Sequence, residues 1–204
     1  MSSVEGGLPE GVTLPPEPIE FRTRPLWAAA RLWCGATTFF FAAFVFAYVY
    51  LRSLDVNHGW IIGKNVSPSG GLGLAVMGLI LLSAVLWRIG YMRPADTIST
   101  GTVAIVLAII AVVLQFVEYT TLGFGPASGG YASVFIGWTI TYILAAICGI
   151  YWIETQVATL WRASKREISD NEEAVIRAGV EASSFFWAYF AAIGVLTFAI
   201  LYVV

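Results

Sequence analysis

The chain has 204 residues, 58% of them hydrophobic and 12% charged, where an ordinary soluble domain carries about 25% charged residues. This composition excludes a soluble globular protein and points to a membrane protein. The net charge of -2, without a basic patch, gives no reason to expect a nucleic-acid partner.

Residues 1–25 are polar, acidic and Pro-containing, with no apolar h-region, so they read as a cytoplasmic tail rather than a signal peptide. Residues 26–204 read as a single membrane domain. Five segments in it are apolar over about the 20 residues that a helix needs to cross a bilayer: 32–51, 71–87, 98–117, 131–153 and 182–204. They are too long and too evenly apolar for barrel strands, so helices are expected. The fold class is therefore all-α, a five-transmembrane-helix bundle.

Orientation follows from Lys and Arg placement. Arg22, Arg24, Arg31, Arg88, Arg93, Arg162, Lys165, Arg166 and Arg177 fall on one side, and only Arg52 and Lys64 on the other. The amino terminus is expected in the cytoplasm and the carboxy terminus outside. Trp60 and Tyr202 then read as outer-interface anchors and Trp161 as an inner one. The 119–130 connection, with four glycines and Pro126, reads as a true break. The 162–181 connection is charged and partly helical by propensity.

The chemistry-bearing residues are few. The single histidine, His58, lies in a loop, which rules out a bis-His haem or a His-rich copper site built from this chain alone. Cys34 and Cys148 lie in apolar segments and read as small hydrophobes. Glu118 and Glu154 are the carboxylates at or near membrane depth, where an ionisable side chain raises the question of function. For Glu118 the two readings are proton or lipid-headgroup handling, and a structural carboxylate bonded to Tyr131 or to backbone amides of the Gly-rich turn; the structural one carries more weight. Glu154 is placed to pair with Arg88 or Arg93, or to reach the headgroup zone. Ser133, Gly137, Thr141, Ala145 and Gly149 recur every fourth position and predict a close helix contact, within the bundle or with a partner. The aromatic runs at 39–50 and 184–190 read as lipid- or neighbour-facing.

The sequence Gln115, Glu118 and Tyr119 in QFVEY resembles the Q-x-x-E-Y of subunit III of the haem–copper oxidases, the cytochrome c oxidase and quinol oxidase superfamily. Tyr131, Ser133 and Phe135 in YASVF resemble its Y-G-S-x-F. FFFAAFVFAYVYL resembles its aromatic first core helix, and Glu181, Ala182 and Trp187 in EASSFFWAYF resemble its E-A-A-x-x-x-W-H-F. Thr37 stands where that family has a buried Glu, Tyr142 and Ala145 where it has H-G-x-x-H, and Ala188 and Ala191 where W-H-F-x-D is expected. The resemblance implies a non-catalytic subunit III in a cell membrane of prokaryotic type. It implies subunits I and II as partners, with haem and copper held by them and not by this chain. It further implies phospholipid contacts and a role in aerobic electron transport and proton translocation. A quinol oxidase or nitric-oxide-reductase-associated complex is the alternative within the superfamily; a small transporter or scaffold is the alternative outside it.

Overall fold

The computed structural model describes residues 18–55, 60–61 and 67–203. Within them the chain forms five long helices and no strand: α1 (Ile19–Ser53), α2 (Gly70–Met92), α3 (Thr97–Thr121), α4 (Gly130–Ala163) and α5 (Asp170–Phe198). A 3-10 turn at Pro94–Asp96 precedes α3, and a π turn at Ala199–Val203 ends α5. All five are long and apolar enough to span a membrane. An odd number of spans puts the two ends of the described chain on opposite sides of the bundle, called here the amino-side and the carboxy-side.

The helices are longer than the apolar segments because the helical pattern runs past the apolar one. Helix α1 begins at Ile19, inside the stretch expected to be tail, and Pro25 is accommodated within it. Helix α4 has 34 residues, about 51 Å at 1.5 Å per residue and well beyond a hydrocarbon core of roughly 30 Å. Most of the charged 162–181 connection is the first part of α5. Ser169 caps that helix, its Oγ accepting the Glu172 amide at 3.3 Å, and Asp170, Glu172 and Glu173 lie in the positive first turn.

Helices α4 and α5 occupy the middle. Helix α4 packs on α1, α3 and α5, while α5 packs on α1, α2 and α4. Helices α2 and α3 form a tight hairpin, its turn closed by Thr97 Oγ1 donating to the Gly90 carbonyl at 2.8 Å. Helix α1 is the least covered: its apolar window is 22% buried, against 44% for α4. The run at 39–50 therefore divides, with Phe39, Phe40 and Phe46 exposed and Phe41 and Tyr48 buried. The run at 184–190 does not face lipid as a whole, because Phe186, Trp187 and Phe190 are core.

The tightest small-residue face is on α3. Thr97, Gly101, Ala104, Ala108, Ala111, Gln115 and Glu118 are its buried residues. Their three-four spacing makes one stripe. Small side chains bring helices close, which is the main source of affinity between helices in lipid. The α4 stripe behaves unevenly. Ser133 is exposed, Gly137, Thr141 and Ala145 are half-buried, and Gly149 is buried. A Cβ on Gly137 would meet only Phe44, at an ordinary 3.5 Å. A Cβ on Gly149 would come within 2.8 Å of Trp187 Cε3 and closer still to Cζ3.

Gly149→Ala is accordingly expected to lose about 1–3 kcal/mol of stability through overpacking. Gly137→Ala is expected to be nearly neutral. Thermal unfolding of the two variants in mild detergent checks this; an equal loss in both would contradict the packing seen.

Candidate functional site

Trp87 and Trp187, both fully buried, form the polar centre of the bundle. Trp87 on α2 donates its indole N–H to Ser183 Oγ on α5 at 3.2 Å, and Trp187 on α5 donates to Ser83 Oγ on α2 at 3.0 Å. The Ser83 hydroxyl donates in turn to the Ala104 carbonyl of α3 at 2.8 Å, and the Ser183 hydroxyl to the Val180 carbonyl at 2.9 Å. A buried indole N–H without a partner is costly, so the two serines are tied to the two tryptophans.

Toward the carboxy-side lies Glu118, with no exposed surface. The spacing of Ala111, Gln115 and Glu118 puts all three on the inner face of α3. Gln115 Nε2 donates to Glu118 Oε2 at 2.6 Å, and the Tyr202 hydroxyl donates to the same oxygen at 2.7 Å. Oε1 has no partner among the described residues. The Ser69 backbone, at the start of α2, lies beside the carboxylate. The unpaired amides of a helix start favour an acceptor there. Neither of the two ion pairs among the described residues, Arg24–Glu20 and Arg166–Glu172, involves Glu118.

Tyr202 reaches Glu118 because Gly73 leaves room for it: a Cβ at that glycine would lie 2.6 Å from Tyr202 Cζ. The π turn positions the tyrosine at the end of α5 and frees the Leu201 carbonyl, which accepts from the Tyr131 hydroxyl at 2.5 Å. Tyr119 donates to Thr139 Oγ1 at 2.8 Å, tying α3 to α4. The carboxy-side ends of α3, α4 and α5 are thus joined by short polar contacts.

The expected partners of Glu118 were Tyr131 and the amides of the Gly-rich turn. The side chain instead turns inward, to Gln115 and Tyr202, because its position is on the buried stripe of α3 and not at the turn. Tyr131 bonds Leu201 and not Glu118. The turn is held by other means. Gly129 adopts φ 120°, open to glycine, and Ser133 donates to the Pro126 carbonyl at 2.5 Å. Of the two expected outer anchors, Trp60 is buried and Tyr202 half-buried, both packed against neighbouring side chains. Trp60 packs edge-on against Tyr48 and Tyr131, and its carbonyl accepts the Tyr131 amide at 3.0 Å. Trp161, by contrast, is exposed, with the Lys165 ammonium over its ring.

The other expected residues are dispersed. Glu154 is exposed and outside both ion pairs, and Arg88 lies over the Tyr91 ring instead. Glu181 is half-buried beside Tyr91 on the amino-side, far along α5 from Glu118. Thr37 is buried and lines an apolar cleft of about 230 Å³ between α1 and α4, with Thr141, Ala145 and Cys148 opposite. His58 and Lys64 lie outside the described residues. Among the described residues no three His, Cys, Asp or Glu side chains come together to hold a metal ion.

Sequence reasoning missed Ser83, Ser183, Trp87 and the role of Tyr202. The serines carried one available signal: a hydroxyl in the middle of an apolar span needs a partner, and buried tryptophans need acceptors. Compared with known protein families and with curated proteins, the chain matches none.

Tyr202→Phe removes one of two donors to Glu118 and is expected to cost about 1–3 kcal/mol. Glu118→Leu orphans the Gln115 amide and the Tyr202 hydroxyl together and is expected to cost more than Tyr202→Phe. Denaturation of the purified variants reads both; a Glu118→Leu protein as stable as the wild type would show that the node contributes nothing.

Proposed function

We propose that the chain is the non-catalytic subunit III of a proton-pumping haem–copper terminal oxidase, oriented with its amino terminus in the cytoplasm and its carboxy terminus outside. Subunits I and II carry the haem and copper, reduce oxygen and move protons. This chain packs beside them, contacts phospholipid and stabilises the complex. One observation carries the reading: four stretches of text resembling that subunit occur in the same order within a five-helix chain.

The residues of those stretches have the chemistry of a scaffold. Gln115 binds Glu118, Tyr119 binds Thr139, Tyr131 binds Leu201, and Trp187 binds Ser83. Each contact joins elements of the chain or orders one of them. With one histidine, the chain cannot by itself build a bis-His haem or a His-rich copper site, which fits an accessory role beside a metal-bearing partner. The basic residues concentrated on the amino-side favour the stated orientation. The exposed aromatic face of α1 and the aliphatic face of α3 offer surface to lipid and to neighbouring subunits.

Purification of the tagged protein from its native membrane in mild detergent tests the proposal. The expected result is a haem absorption spectrum and a stoichiometric haem–copper subunit identified by mass spectrometry. A haem-free homo-oligomer that moves a solute across vesicles would overturn it.

A further inference from the structure

A small cavity lies where α2, α3, α4 and α5 meet, between the indole–serine layer and the Glu118 node. It measures about 20 Å³ for a water-sized probe, enough for one water and no more. Its wall is mainly apolar but carries five polar side chains: Gln115, Thr139, Tyr142, Thr197 and Tyr202 all line it. The Tyr142 side chain, 6% exposed, points its hydroxyl at this region without a protein partner among the described residues. Gly194, which also lines the cavity, makes room for that hydroxyl, since a Cβ there would collide with it.

Two neighbouring arrangements sharpen the reading. Trp138 already donates to Thr197 Oγ1 at 3.0 Å, leaving the threonine proton for another acceptor. The adjoining void of about 10 Å³ has a mainly aliphatic wall and falls at the lower limit for a water. Of these two voids, the first alone combines adequate room with several polar groups.

We propose that this cavity is a binding site for a single structural water. The water bonds the Tyr142 hydroxyl to polar groups of α3 and α5, so that α4 is joined to its neighbours at mid-bundle as it is at the carboxy-side. The inference is independent of the proposed oxidase role. It concerns a site formed entirely within this chain.

Radiolytic hydroxyl-radical footprinting tests it, on the full chain in phospholipid nanodiscs, with heavy-oxygen water as the label source. A bound water generates radical where it sits, so Tyr142 is expected to take up label despite its burial. Trp138, fully buried one turn earlier on α4 and outside the cavity wall, is expected to remain unlabelled. Tyr142 as silent as Trp138 would overturn the proposal. Label on both would overturn it too, because that pattern means general water entry and not one site. In folded Gly194→Ala the added methyl pushes the Tyr142 hydroxyl from its place at the cavity, so the water loses that partner and most of the Tyr142 label is expected to disappear. Undiminished label in that variant would also overturn the proposal.

Discussion

Two buried indole N–H groups set the register of the bundle. In a lipid-facing bundle they have no bulk water to bond, so Trp87 and Trp187 must each meet an acceptor inside. The acceptors are Ser183 and Ser83, placed reciprocally on α5 and α2, and Ser83 extends the link to the Ala104 carbonyl of α3. A slide of one turn along either helix would break both indole bonds at once. Gly149 and Gly101 keep the rings in place from the other sides, because a methyl group at either would enter an indole.

The level of the Glu118 node follows from that register. Fourteen residues separate Ser83 from Ser69 on α2, and fourteen separate Ala104 from Glu118 on α3. At 1.5 Å per residue both travel about 21 Å toward the carboxy-side. On α5, Tyr202 comes fifteen positions after Trp187, and the path includes the π turn. A π turn takes up one residue more than an α turn, so the extra residue is absorbed and Tyr202 arrives level with the carboxylate. Gly73 completes the fit by opening α2 to the tyrosine ring. The short Tyr202–Glu118 bond is thus the far end of a constraint set at the indole layer.

This explains what could be read from the sequence. The number and type of helices were legible, because hydropathy over about 20 residues is a direct trace of lipid contact. Their ends were not, because α4 and the start of α5 continue as helix beyond the apolar segment, where hydropathy is silent. Glu118 was legible as a residue of interest. Its partner Tyr202 was not, since it lies 84 positions away and meets the carboxylate only through matched helix rises and a π turn. The α4 stripe was visible, but only Gly149 makes the close approach that such a pattern predicts. The more complete stripe on α3 was overlooked, although its Gly101, Ala104, Ala108 and Ala111 were there to be counted. A small residue at helical spacing reports that an approach is possible; the large side chain opposite decides whether it occurs.

The same distinction bears on what the molecule does. Among the described residues the buried polar contacts join its own helices or order one of them: the indole–serine pairs, Gln115–Glu118–Tyr202, Tyr119–Thr139 and Tyr131–Leu201. A pore or carrier needs polar groups held ready for a passing solute, usually along interrupted helices. Here the spans are continuous, and the buried carboxylate is engaged by two donors. Much of what remains outward is apolar, with Phe39, Phe40 and Phe46 on α1 and Val103, Val106 and Ile109 on α3 among it. An interior tied together by these contacts leaves large apolar outer faces. Its helices hold a fixed relative register, so that those faces keep a constant shape.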